Sequence, residues 1–428
     1  MKTILKGKTP MNKIMAALVL SLFAGSASAA ATTPSMEEMW AIIQQQQAEI
    51  TQLKTQLDLA DEEIKETSVK VEATASMVEQ SVVVSSQGSM ASSWAERTQI
   101  GGYGEMHYNN FEDNNNDGSD IDEIDFHRFV FYLGHDFNED TRFFSEVELE
   151  HSLSGDGKPG EVELEQAYVE HDFTSTTRMK AGLFLVPVGI LNQTHEPTTF
   201  FGVERNNVEK NIIPTTWWEG GLSLSGEILP AWTYEGAFTS GLKIDFAEGD
   251  YKIRDGRQKV AKADASKPAY TLNTKYTGIA GLELGATIQY QAALGQGSYN
   301  DITGGDVDAM LYSAHVAYLN GPFGLRALAA AWDIDDGINE VKEGADEQSG
   351  WYIEPSWMVM RDLGVFARYS EWDNLAGSNG ESDITEWSAG VNYWLVENVV
   401  FKADYQWQDA PPGEKELEGF SLGVGFNY

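Results

Sequence analysis

The chain has 428 residues, 42 % of them hydrophobic, and a mean hydropathy of −0.33, so it hides no stack of transmembrane helices. It contains no cysteine, which excludes a disulfide scaffold, Cys-ligated zinc, iron–sulfur clusters and a lipoprotein anchor. With 66 acidic against 29 basic residues the net charge is −37, so the chain offers no general basic face for phosphate backbones and no nucleic-acid partner is expected.

At the N-terminus, Lys2, Lys6, Lys8 and Lys13 precede the apolar run from Ile14 to Phe23, and Ala27-Ser-Ala29 follows. Basic start, short apolar core and small-residue cleavage box describe an export signal over 1–29. The mature chain is expected to begin near Ala30. Next comes a period of seven: Met36, Ile43, Ile50, Leu57, Ile64, Val71 and Val78 recur without a break. Such spacing imposes a left-handed supercoil, so 30–97 is predicted to be an α-helical coiled coil followed by a linker. Mostly β-branched a positions suit dimers or trimers, and the seam does not choose between them.

From Thr98 onward the period is two. Leu282, Leu284, Ala286, Ile288 and Tyr290 alternate with Glu283, Gly285, Thr287 and Gln289. Val399, Phe401, Ala403, Tyr405 and Trp407 alternate with Val400, Lys402, Asp404 and Gln406. Segments of about ten residues with one apolar and one polar face are the pattern of a barrel with lipid outside and water inside. Sixteen such strands are predicted between 98 and 428. Their connections alternate between short turns, such as Leu229-Pro230 and Asn320-Gly321, and long polar loops, such as 188–214 and 241–268. Sorting of loops by parity is the habit of an outer-membrane β-barrel, and a soluble sandwich has no reason for it. The fold class is therefore all-β: a 16-stranded antiparallel transmembrane β-barrel over 98–428, preceded by the coiled coil. Both termini then face the periplasm. The last strand, Phe420, Leu422, Val424, Phe426 and Tyr428 against small or polar alternates, can close on the first and offer a signal to the outer-membrane assembly machinery. Trp217, Trp218, Trp232, Trp351, Trp357, Trp387, Trp394 and Trp407 are candidates for interfacial girdles.

Sixteen strands enclose a bore too wide for side chains to fill. Alternation puts Arg128, Arg142, Arg178, Lys180, Lys275, Arg326, Arg368 and Lys402 inside, with Glu146, Glu148, Glu163, Glu165, Glu283, Glu354, Glu386 and Asp404 in equal number. Two readings are open: a transverse field acting on polar solutes, or pairing of these charges across strands. The loop 188–214 carries Ile190, Leu191, Phe200, Phe201, Val203, Val208, Ile212 and Ile213, more apolar surface than a solvated loop needs. Folded into the bore, it would present Glu196, Glu204, Arg205, Glu209 and Lys210 to the pore. Lying on the rim or against a neighbouring subunit is the other reading.

Phe184-Leu-Val-Pro187-Val-Gly, Phe200-Phe-Gly-Val-Glu204-Arg205, Pro214 and Gly220-Gly221, together with Ile100-Gly-Gly-Tyr-Gly104-Glu and Phe126-His-Arg128, resemble the phosphate-selective porin O/P family over essentially all of 98–428. The resemblance implies a homotrimer of sixteen-stranded porins with an inward third loop, and some members carry an N-terminal coiled coil. It also implies anion selectivity through a luminal ladder of arginines and lysines. No single strand here carries such a ladder.

The function expected is passive diffusion of small hydrophilic solutes and ions through a water-filled barrel. An anion- or phosphate-selective porin is one alternative. The other is an envelope protein whose coiled coil tethers the outer membrane. Asp113-Asn-Asn115-Asn-Asp117-Gly118 matches the opening of a calcium loop, but Ile124 stands where the bidentate Glu belongs. Asp113, Asn115 and Asp117 are thus a low-affinity Ca2+ site or a solvated acidic turn, and no other cofactor is expected. The basic loop 241–268 draws anions, touches lipopolysaccharide phosphates or simply stays soluble. There is no Gly-x-Ser-x-Gly elbow, His-Glu-x-x-His or Walker loop, so no enzyme is expected.

Overall fold

The computed structural model describes residues 94–115 and 120–428. The predicted export signal and heptad segment lie outside them. No helix among the described residues is long and apolar enough to cross a membrane.

Sixteen strands follow one another. The first eight are β1 (Thr98–Asp113), β2 (Ile121–Asp136), β3 (Thr141–Glu150), β4 (Val162–Thr174), β5 (Thr177–Leu185), β6 (Trp218–Leu229), β7 (Trp232–Thr239) and β8 (Ala269–Ile279). The rest are β9 (Leu282–Gln291), β10 (Ala309–Asn320), β11 (Phe323–Ile334), β12 (Glu347–Met358), β13 (Leu363–Asp373), β14 (Ile384–Val396), β15 (Val399–Asp409) and β16 (Leu417–Asn427). Each pairs antiparallel with its chain neighbours. β16 returns to β1, with Tyr103 opposite Asn427 and Asp113 opposite Leu417, so the sheet closes and leaves no edge.

The period of two decides the faces. Tyr270, Leu272, Ile288, Phe401, Trp407 and Leu422 point outward and are exposed, while their neighbours Thr271, Asn273, Thr287, Gln289 and Lys402 point inward and are buried. Trp351, Tyr369 and Trp387 pack as a row of tilted rings along the outer wall. Trp217, Trp218 and Trp394 depart from the girdle expectation. The first two are buried, and Trp394 meets Phe201 edge-on in the lumen.

Two register slips break the regular alternation. Glu105 opposes Arg128 but His107 opposes Asp125, which leaves β2 one residue longer there. Glu146 opposes Gln166 but Val147 opposes Leu164, which leaves Glu165 as the extra residue of β4. Bulges of this kind re-aim a side chain. They turn His127 toward His107 and Glu165 beneath the loop that follows β5.

One sector of the bore, at its long-loop end, is filled. Leu242, Ile244, Phe246 and Ile253 from the loop after β7, Leu294 after β9 and Ile338 after β11 pack on Leu311, Leu328, Trp332 and Tyr352 of the inner wall. Inward residues of β10 and β11 are apolar here because loops, not water, cover them. The basic loop 241–268 is therefore a folded part of the interior rather than a solvated excursion. Asp113 and Asn115 join the first and last long loops. Asp113 accepts from the Glu416 amide (3.1 Å), and the Asn115 amide donates to the carbonyls of Ala410, Pro411 and Glu414. Asp117 lies outside the described residues.

Leu224 faces outward midway along β6. Leu224→Arg is expected to cost about 2–4 kcal/mol of folding free energy in phospholipid vesicles, read by urea titration.

Candidate functional site

The loop between β5 and β6 turns into the bore. Its apolar side chains Val208, Ile212 and Ile213 are fully buried against the inner wall. A chain segment crossing a lumen loses the water that its peptide groups would otherwise bind, so each group needs a partner. The wall supplies them in succession. Arg128 donates to the His195 carbonyl (2.6 Å) and Asn427 to the Thr198 hydroxyl (2.9 Å). Arg326 donates to Thr199 (2.7 Å), Asn392 to Phe200 (3.0 Å), Arg368 to Phe201 (2.8 Å) and Lys402 to Gly202 (2.8 Å), in each case to the carbonyl. The Val203 amide then donates to Asp404 (2.6 Å). Six strands thus grip seven of the nine loop residues 195–203. Steric fit matches the polar fit: a Cβ on Gly425 would lie 2.5 Å from Pro197, and one on Gly423 would lie 2.9 Å from Val203.

Several residues predicted to line the solute path are inward but roofed by this loop. Arg128 pairs with Glu105, Arg368 pairs with Glu354 at 2.8 Å, and Glu146 and Glu148 are buried. Glu209 corrects the expectation more sharply. Instead of facing the pore it is fully buried, accepting from the Ile190 and Leu191 amides (2.6 and 2.7 Å) and from the Tyr352 hydroxyl (2.9 Å). A carboxylate sealed from water has to collect donors, and the turn at Gly189 presents two. Arg142 makes a two-pronged contact with Asp172 and also pairs with Glu170, while Lys180 lies 3.6 Å from Glu235. Here pairing across strands is the right reading. Glu105, His107, Glu170, Asp172 and Glu235 were missed. Glu105 and His107 share the inward face of Tyr103 on β1, and Glu235 shares that of Ala237 and Thr239 on β7, so alternation could have found them, whereas the bulge at Glu165 reverses the parity of β4 and hides Glu170 and Asp172.

Other charges face the open part of the bore. Lys210 is exposed, and Glu196, Glu204 and Arg205 are partly so. Arg205 donates to the Thr216 hydroxyl (2.6 Å). Arg254 donates to the Lys210 carbonyl (2.7 Å), and Arg257 to the Thr216 carbonyl (2.7 Å). The three guanidinium groups therefore converge on 210–216. Burial, then the charges of Arg257 and Arg205, bring the pKa of Arg254 down to about 9. Burial and Arg205 lower Arg257 in the same sense. Among the described residues, none of Arg205, Lys210, Arg254 and Arg257 has a carboxylate within 4.0 Å. Glu148, Glu163 and Glu165 of β3 and β4 lie within electrostatic reach of this group.

A closed sixteen-stranded barrel, apolar outside and polar within, narrowed by a loop folded into its lumen, defines a porin of the outer-membrane type, a channel rather than an enzyme. The family model for phosphate-selective porin O and P matches residues 99–416, and the chain belongs to that family. An uncharacterized protein of Aquifex aeolicus (strain VF5) is 30 % identical over 340 residues, 72 % of this chain and 75 % of the relative. Similar solved folds include OmpF of Salmonella typhi, in complex with daunomycin (TM-score 0.56, 13 % identity, 77 % of this chain and 97 % of that one). The outer membrane channel DcaP of Acinetobacter baumannii (0.53, 12 %, 77 % and 97 %) and an anion-selective porin from Comamonas acidovorans (0.52, 11 %, 77 % and 98 %) share the fold as well.

Replacing Arg368 and Lys402 together by Met frees the carbonyls of Phe201 and Gly202. Each lost charged hydrogen bond should cost about 1.5–3 kcal/mol, and single-channel conductance should rise as the loop leaves the wall. Burial opposes ionisation of Glu204, but the His107 charge 2.7 Å away overcomes it and holds the Glu204 carboxyl well below the usual range. For a carboxyl depressed in this way, the stabilisation is present above the ordinary carboxylate pKa and is lost as pH falls through the depressed value. The difference in conductance between the wild type and Glu204→Gln should therefore persist as pH falls through the ordinary carboxylate range and disappear only well below pH 4.5.

Proposed function

We propose that the protein admits small hydrophilic solutes and ions with broad selectivity, and that a transverse field at the loop favours polar over apolar solutes. The observation that carries this reading is the convergence of Arg205, Arg254 and Arg257 on 210–216 beside the exposed Lys210, with the partly exposed Glu196 and Glu204 on the same inward loop. Opposed charges in a narrow aqueous gap orient dipoles, and moving an apolar solute through them means displacing ordered water.

Anion selectivity is a second reading, favoured by one specific feature. The three arginines crowd one another without carboxylate partners among the described residues, and like charges brought together are relieved by an anion between them. Against a dominant role stands the use of Arg128, Arg326, Arg368 and Lys402 as loop anchors, which removes them from any continuous ladder.

The barrel sits in the outer membrane. In our reading the short turns face the periplasm, the segment 30–97 is a periplasmic coiled coil, and the assembly is a homotrimer in contact with lipopolysaccharide. OmpT of Vibrio cholerae, a protein of the same fold (TM-score 0.50), has a trimer form.

Reversal potentials in a potassium chloride gradient across planar bilayers separate the two selectivity readings. Broad diffusion gives a chloride-to-potassium permeability ratio near unity, shifted modestly toward the cation by Arg254→Gln with Arg257→Gln. A strong chloride preference abolished by the same pair establishes the anion channel instead.

A further inference from the structure

Beneath the descending limb of the loop, three side chains from three different elements converge. Glu146 comes from β3, Glu165 from the bulge of β4 and His195 from the loop, and all three are at least 98 % buried. His195 Nε2 lies 3.4 Å from Glu146 Oε1 and 3.6 Å from Glu165 Oε2. Both distances are long for charge-assisted hydrogen bonds. Glu165 Oε2 and His195 Nε2 are buried with no hydrogen-bond partner among the described residues, an arrangement that native proteins rarely leave uncompensated.

The other atoms of the cluster are already engaged. His195 Nδ1 lies 3.2 Å from the Asn192 carbonyl, and a proton donated there leaves the Nε2 lone pair facing the two carboxylates. Glu146 Oε2 accepts from Gln166 (2.6 Å). Arg128, which lies beside the cluster, is committed to Glu105, the Tyr103 hydroxyl and the His195 carbonyl. Glu148, buried on the same strand as Glu146, adds a further carboxylate oxygen without a partner. Acid exceeds base in a pocket closed to water.

We propose that Glu146, Glu165 and His195 bind a divalent transition-metal ion of the Zn2+ or Mn2+ class. The donor atoms all lie within 4.8 Å of one another. A tetrahedral ion with bonds of about 2.1 Å sets its ligands roughly 3.4 Å apart, close to the separations His195 shows. One imidazole and two carboxylates suit this class of ion, and the carbonyl on Nδ1 orients the ring as outer-shell partners of metal-bound histidines do. The ion would join loop, β3 and β4 at one point and so fix the entry limb of the constriction. The neighbouring set His107, His127 and Glu204 is the weaker candidate. Its donors also lie within 4.8 Å of one another, but His107 and Glu204 already satisfy each other at 2.7 Å.

The test is refolding of the protein in detergent with equimolar ZnCl2 or MnCl2, followed by gel filtration and elemental analysis. One ion per chain and a raised thermal midpoint are expected. Glu165→Gln and His195→Gln should each weaken binding at least tenfold, and His127→Gln should leave it unchanged, with barrel integrity checked by heat-modifiable migration. The proposal is overturned if the wild type holds no ion, if binding survives either of the first two substitutions, or if His127→Gln abolishes it. Zinc-edge absorption on the wild type needs no variant. One imidazole nitrogen per ion supports the site, and two or none sinks it.

Discussion

Everything distinctive about the interior follows from the need to satisfy a peptide chain laid across water-depleted space. Barrel strands meet their own hydrogen-bonding needs by closure, but the loop after β5 has no neighbouring strand to pair with once inside. Side chains of β2, β11, β13, β14, β15 and β16 take the place of that strand. The exchange fixes the loop's height and course, and it leaves the apolar residues 208, 212 and 213 to pack on the wall behind it.

The same exchange reassigns charge. A cation that donates to a buried carbonyl and pairs with a neighbouring glutamate, as Arg368 does with Phe201 and Glu354, is structural, however clearly its strand position points it inward. Among the described residues, basic side chains with no carboxylate within 4.0 Å include Arg205, Lys210, Arg254 and Arg257, all from the loops. In a family whose name stands for phosphate selectivity, the wall of this member uses basic side chains as architecture, and the arginines that converge on 210–216 belong to folded loops.

Much of this was legible beforehand. Strand number and order follow from the period of two and the parity of loop lengths, because lipid on one side and water on the other leave few alternatives. The inward fold of 188–214 was legible as excess apolar content. The partners of the inward charges were not, since identical alternation describes an arginine open to water and one roofed by a loop. Glu209 illustrates the failure: a polar residue in a loop reads as exposed, and only the turn at Gly189 and the facing Tyr352 explain its burial. The bulge at His127 leaves no periodic trace either, yet it puts an additional side chain into the lumen, and the bulge at Glu165, itself expected inside, reverses the parity of the rest of β4. The basic loop 241–268 was misjudged for a related reason, its charges masking Leu242, Ile244 and Ile253.

The inward glycines of β16 have a consequence for the order of events during biogenesis. Gly423 and Gly425 form the seat for Val203 and Pro197, and Asn427 holds Thr198, so the constriction is completed by the strand that also closes the sheet on β1. A nascent cylinder lacking that final strand has neither a seam nor a seat. Ring closure and calibration of the aperture are thereby one event, and a chain without β16 loses both together.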